Sequence, residues 1–335
     1  MTGVHAAIDS RALWGLGRSI DMELVCPDEG EVYRINQLWQ KVFCLDHREE
    51  RRAPASIRLG YRFYGLGWEH GAKGEPVYSS PGLDIWRTPA GFLLESNSAF
   101  LSLDPARSRA EGTLGSRFWS SPLQYQRGFF SLAFLLLLNA HHFYGLHAGA
   151  VEGASLSFLV VGDSGCGKTT TTLALASSGW RFLSDDAVIL HASNGPVEAL
   201  ALSRGFSCTA GTLEHFPELA TRGANAEAVH GGKLFISTET LFPGRFVAQT
   251  KPRVLLFPEI ANQLKSQLIP VQRPEALSRL IRQSPGVLSD RAAVAGQLEI
   301  LRMLVEGSES FRLVLAADVH HQPQALGRLL ETIAA

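Results

Sequence analysis

The chain has 335 residues, 45% of them hydrophobic and 19% charged, with a formal net charge of −1 at neutral pH. That balance excludes a disordered chain and leaves no overall field for holding nucleic acid or an anionic membrane. At this length one large domain or two modest ones bury a substantial core.

Residues 1–120 read as a β-rich N-terminal domain. Short segments at Met22–Cys26, Ser56–Phe63, Leu83–Arg87 and Gly91–Glu95 are punctuated by Gly, Pro, Asp and Ser. No catalytic motif lies here, which leaves a scaffold or a substrate-recognition role open. The basic run Arg48–Arg52 is interrupted by Glu49 and Glu50 and reads as a solvated loop. The first ten residues lack a basic start followed by an apolar core, so no signal peptide is expected.

Residues 121–145 read as a connecting buried helix spanning 122–143. Pro122 stands near its start, and Leu123, Phe129, Phe130, Leu132, Phe134 and the leucines 135–138 leave almost no polar face. Its most apolar run, Phe129 to Leu138, is about half the length that crosses a bilayer. No membrane partner is expected. The four cysteines, Cys26, Cys44, Cys166 and Cys208, are scattered without a C-x-x-C pair, which suits a reducing cytoplasm.

Residues 146–335 read as an α/β domain. His147 opens a strand that turns through Glu152–Ser155, and Leu156–Val161 is a short apolar run suited to a central strand. The strand pair is expected to be an antiparallel hairpin. Next come a glycine-rich loop, a helix over Thr169–Ser177 that stops at Gly179, and a second strand. That strand is expected to run from Arg181 through Ser184-Asp185-Asp186 and on to Leu190. Further strands are expected at Arg253–Phe257 and Phe311–Leu315, and helices near 274–283, 290–306 and 322–333.

The loop reads Gly162-Asp163-Ser164-Gly165-Cys166-Gly167-Lys168-Thr169, which fits G-x-x-x-x-G-K-[ST] between a strand and a helix. Glycines let successive N–H groups turn toward one anion, and the helix start adds partial positive charge. Residues 162–169 together with Thr170 are therefore candidates to cradle the phosphates of ATP or GTP. Lys168 is suited to the β- and γ-phosphates and the Thr169 hydroxyl to Mg²⁺.

Asp185 and Asp186 arrive soon after the loop helix. A strand, a crossover helix and a parallel neighbouring strand would return them to the loop's edge of the sheet. Two carboxylates there divide the work: one holds Mg²⁺ and the other takes a proton from an attacking hydroxyl. The competing reading is an exposed Asp-Asp turn. His147 is a further candidate, on the strand before the loop.

The segment from His147 to Leu190 resembles the catalytic core of the bacterial HPr serine kinase/phosphorylase family. His147, the G-D-S-G-x-G-K-[ST] loop, Gly179 and the pair Asp185-Asp186 carry the resemblance over about 45 residues. Gly232-Lys233 and Pro252–Pro258 resemble segments of HPr-kinase-related proteins more weakly. The resemblance implies a P-loop kinase core related to ATP-dependent phosphoenolpyruvate carboxykinase. It implies Asp185 as the base toward a serine hydroxyl, with Asp186 and His147 supporting the metal and phosphate site. The family's later signature, with its metal-binding Glu and catalytic Arg, has no aligned segment. Arg204, Glu214 and Lys233 lie in that region, and Lys233 is the candidate phosphate-facing cation. The unlike N-terminal region points away from HPr and toward a specialised acceptor, such as the precursor of a ribosomally made peptide of the lasso type.

The function expected is thus an ATP- and Mg²⁺-dependent kinase acting on a hydroxyl, most readily a serine of a peptide or protein. A small-molecule kinase acting on free serine and a nucleotide-gated regulatory ATPase are the alternatives. A carboxykinase-type reaction ranks lower, because no second-metal set or oxaloacetate-binding segment stands out. Nucleic acid is not an expected partner, and assembly as a homo-oligomer is left open by the resemblance.

Overall fold

A computed structural model describes residues 10–17, 19–49, 57–65, 71–192, 195–223, 226–229, 232–284, 291–316, 318–321 and 323–333. The chain divides into two compact units, one up to His141 and one from His142 onward. The architecture is mixed α/β, with several sheets and a mostly-β first unit.

The first unit is built on a nine-stranded sheet. Its strands include Ile20–Cys26, Ile57–Phe63, Leu83–Thr88 and Gly91–Ser96, within a residue or two of the segments read from the sequence; Ser56 lies outside the described residues. Apolar alternation, as in Ile57–Phe63, buries one face of the strands. The helix Glu29–Val42 starts at Asp28, whose carboxylate accepts from the N–H groups of Gly30 and Glu31. The apolar helix spans Leu123–Asn139, ends earlier than its composition suggests, and falls within this unit. Phe134 on it meets Trp39, Phe43 and Tyr61 edge-on at 4.9–5.5 Å between ring centres. Such contacts add to the burial of large rings. Arg48 departs from the solvated-loop reading: it ends the strand Asp46–Arg48 and pairs with the buried Asp21. Arg51 and Arg52 lie outside the described residues.

The second unit is centred on a six-stranded sheet. Its order is Arg181–Ser184, Ala148–Glu152, Ser157–Val161, Val254–Ile260, Glu309–Leu315, Gln267–Pro270. Ala148–Glu152 and Ser157–Val161 form the expected antiparallel hairpin, with Ala148 opposite Val161. Val254–Ile260 runs parallel to Ser157–Val161, and Glu309–Leu315 runs parallel to Val254–Ile260. All five residues of Ser157–Val161 are buried, as a continuous apolar run between covering layers requires.

Two expectations about this sheet fail. Arg181–Ser184 is parallel in direction to Ser157–Val161 but is not its neighbour, because Ala148–Glu152 lies between them and pairs with both. The segment from Arg181 to Leu190 is also not one strand. It breaks at Asp185-Asp186, and Val188–His191 joins a separate four-stranded sheet beside Tyr144–Leu146. Ser184 makes the break: its hydroxyl donates to the carbonyl of Ala187 at 2.8 Å and accepts from the N–H groups of Asp186 and Ala187. Such a side-chain bond competes with continued strand pairing.

The helix after the loop spans Lys168–Ser177 and is buried over Thr171–Ala176. Its four threonines are weak helix formers. Thr171 and Thr172 turn their hydroxyls back onto the carbonyls of Gly167 and Lys168, which satisfies them inside the core. Leu173, Leu175, Phe158, Val160 and Phe182 share one apolar cluster with Leu326 and Leu330 of the helix Pro323–Glu331. Each buried leucine of this kind contributes roughly 1.5–3 kcal/mol. No helix among the described residues is long and apolar enough to cross a membrane.

Candidate functional site

Strand direction gathers the chemistry-bearing residues at one edge of the six-stranded sheet. The glycine-rich loop leaves the C-terminal end of Ser157–Val161, and Asp185-Asp186 leave the C-terminal end of Arg181–Ser184. His147 immediately precedes Ala148–Glu152, which runs the opposite way and so begins at that same edge.

Asp163, Ser164 and Gly165 at the crown of the loop are exposed, whereas Cys166 and Gly167 are half-buried. Gly165 and Gly167 have φ of +83° and +106°, values a side chain disfavours. Gly167 stands at the N-cap of the helix, where a residue without a side chain makes no capping hydrogen bond of its own. Lys168 is buried at 7% exposure, and its ammonium donates to the carbonyls of Gly162 at 2.6 Å and Asp163 at 2.9 Å. The cation is thus tied to the base of the loop. Thr169 and Thr170 are half-buried on the first turn. Burial pushes the Cys166 thiol up, against the pull of the Lys168 ammonium.

The two carboxylates sit in different surroundings. Asp185 is 3% exposed, and one of its oxygens accepts from the backbone N–H of Ser207 at 2.8 Å. The Asp186 side chain is 34% exposed and lies 3.1 Å from Nδ1 of His147. His147 is itself held through its backbone N–H, which donates to the carbonyl of Gln283 at 2.9 Å. The Gln283 amide donates in turn to the Asp163 carboxylate at 2.6 Å. One residue at the end of the helix Arg273–Arg282 therefore links the loop to the histidine segment.

Sequence reasoning missed Gln283 and Ser207, since neither residue type nor spacing marks them. Gly149 was also missed, although a glycine inside a strand signals a close approach. A Cβ there would lie 2.7 Å from the Thr172 methyl.

The later candidates are less close-knit. Lys233 opens the strand Lys233–Ser237, opposite Thr209 on the strand that carries Ser207. Burial and the Asp185 carboxylate push the neighbouring Cys208 thiol up to about 12, and Lys233 acts the other way. Arg204 stacks over Phe246 at 5.6 Å, and Glu214 is exposed at the end of a short helix. No group of three or more His, Cys, Asp or Glu side chains among the described residues is arranged to hold a metal.

No protein-family model matches the chain, and no curated protein matches it. Among solved structures, the Hpr(Ser) kinase/phosphatase from Coxiella burnetii is similar at 14% identity. The match covers 57% of this chain and 95% of that one, with a TM-score of 0.31. Likeness at that level is distant and carries no argument about activity.

Proposed function

We propose that the second unit is an ATP- and Mg²⁺-dependent phosphotransferase acting on a hydroxyl, most readily a serine of a peptide or protein. The observation that carries this reading is the convergence of the P-loop motif, Lys168, the Asp185-Asp186 pair and His147 at one sheet edge. Such an edge provides backbone N–H groups, one buried cation and two carboxylates, which suits phosphoryl transfer by positioning and charge neutralisation.

The Thr169 hydroxyl and the Asp186 carboxylate are hard oxygen donors of the kind Mg²⁺ takes, with phosphate oxygens and water filling the remaining positions. The ion would neutralise charge on the phosphates. Lys168 would release the loop carbonyls and bind phosphate oxygens. Asp185 would accept the proton of the acceptor hydroxyl as that oxygen bonds to the γ-phosphorus. The bond to the bridging oxygen would break, and ADP would leave.

A second reading has its own observation. Asp185 is nearly closed off, whereas Asp186 and His147 are paired and open to solvent. That difference favours the Asp186–His147 pair as proton acceptor, with Asp185 as the anchor of the Ser207 strand.

The test uses the purified full chain with ATP and a panel of serine peptides and free serine, read by mass spectrometry. Lys168→Ala should weaken ATP binding by roughly 10- to 100-fold, the worth of a charge-assisted contact. Asp185→Asn should keep ATP affinity and slow transfer by about 10²–10⁴, the usual worth of a general base. If Asp186→Asn shows that loss instead, the second reading holds. Phosphate appearing only on free serine would make this a small-molecule kinase. ATP turnover that no acceptor alters would make it a regulatory ATPase, and a wild-type chain that binds no nucleotide would sink the proposal.

A further inference from the structure

An apolar cavity of ≈ 350 Å³ adjoins the other flank of the loop. Gly167 and Thr170 line it together with Ile260, Ala261, Asn262 and Leu315. We propose that this cavity receives the base of the nucleoside triphosphate whose phosphates the loop holds. The inference rests on the nucleotide-binding reading above and adds where the rest of the donor lies.

Three observations carry it. The first is continuity, because Gly167 of the loop motif and Thr170 on the helix turn that follows it both line the cavity. A Cβ on Gly167 would meet the Leu315 side chain at 2.5 Å and Ile260 at 3.6 Å, so loop and wall are packed directly together.

The second is sidedness. In the strand order, Ala148–Glu152 and Arg181–Ser184 lie on one side of the loop strand and bring His147 and Asp185-Asp186 to the edge. Val254–Ile260 and Glu309–Leu315, whose ends line the cavity, lie on the other side. A triphosphate lying across the loop with its terminal phosphate toward the carboxylates therefore directs its nucleoside end to the cavity.

The third is chemistry. Among the described residues no charged side chain lines the cavity, which is unsuitable for phosphate and suitable for a flat heterocycle. Its volume lies near the lower end of the roughly 300–1,000 Å³ of small-molecule sites, which is ample for a purine base. Ile260 is 69% exposed at the strand end, a large aliphatic surface that a stacked ring would cover. The Asn262 side chain adds an amide, which carries both a donor and an acceptor for a base edge.

The test compares ATP with inorganic tripolyphosphate, which lacks base and sugar, in equilibrium binding to the full chain. Ile260→Ser removes an exposed wall without touching the core, and Ala261→Trp fills the space. Each variant should lose about fivefold or more in ATP affinity, while tripolyphosphate binding stays within about twofold. ATP affinity unchanged in both variants would overturn the assignment, as would tripolyphosphate affinity falling in step with that for ATP. Lys168→Ala separates the two levels. If it leaves ATP binding intact, the loop reading fails. If it weakens both ligands while the cavity variants weaken neither, only the base site fails.

Discussion

Gly149 offers a direct test of how the loop helix is seated on its sheet. In Gly149→Ala the new methyl would lie 2.7 Å from Cγ2 of Thr172 and 3.3 Å from the Ser184 carbonyl. Carbon atoms ordinarily sit about 3.5–4.0 Å apart, so the methyl overlap of about 1 Å must be absorbed. Thr172 is fully buried, and its hydroxyl is bonded to the carbonyls of Lys168 and Thr169. Rotating the methyl away would give up those bonds, so helix and strand must separate instead. Overpacking of this kind costs about 1–3 kcal/mol. At roughly 2–4 °C per kcal/mol for a unit of this size, the expected fall in Tm is about 2–12 °C. Calorimetry on the full chain reads it, with hydrogen exchange in Lys168–Ser177 assigning the transition. Thr172→Ser removes only the obstructing methyl and should cost about 1 kcal/mol alone. The double variant should be more stable than the sum of the two single losses. An unchanged Tm for Gly149→Ala, or strict additivity in the double variant, would refute the close packing.

Two further outcomes follow from the same site. Gln283→Ala removes the bond to Asp163 but keeps the carbonyl that holds His147, so the His147 amide should remain protected in hydrogen exchange. The stability loss should stay within about 0.5–1.5 kcal/mol, and free exchange at His147 would show that the side chain, not the backbone, fixes that segment. Cys208, with its thiol pushed from 9.0 to about 12, should resist iodoacetamide at pH 8 in the folded chain and react once unfolded. The folded state retains a proton that the unfolded chain loses above pH 9.0. The thiol's contribution to stability is therefore complete below that pH and declines as pH rises toward 12. Cys208→Ala should flatten the decline, and rapid native labelling at pH 8 would refute the shift.

Much of the second unit was legible because local rules sufficed. The glycine-rich loop, the hairpin before it and the helix after it are consecutive, and each is specified by steric and periodic features within a few residues. The carboxylate pair was legible as residues but not as environments. The sequence presents two adjacent aspartates, yet one is buried against Ser207 and the other pairs with His147. Their difference depends on a partner strand about 20 residues further on. Arg48 was misread for the same reason, because Asp21 lies 27 residues away in sequence.

The sequence by itself determined that a strand, a glycine-rich loop and a helix follow one another, and that two carboxylates and a histidine flank them. Only the tertiary structure decided their arrangement. It inserted Ala148–Glu152 between the two strands that carry the loop and the aspartates, and it ended the second strand at Ser184. It also brought Gln283 against Asp163 across 120 residues of chain. Sheet order and such long-range contacts depend on which faces can be buried together, a property of the whole core rather than of any local run of residues. The loop motif is therefore readable along the chain, whereas its two flanks, one bearing the carboxylates and His147 and the other apolar, exist only in the folded sheet.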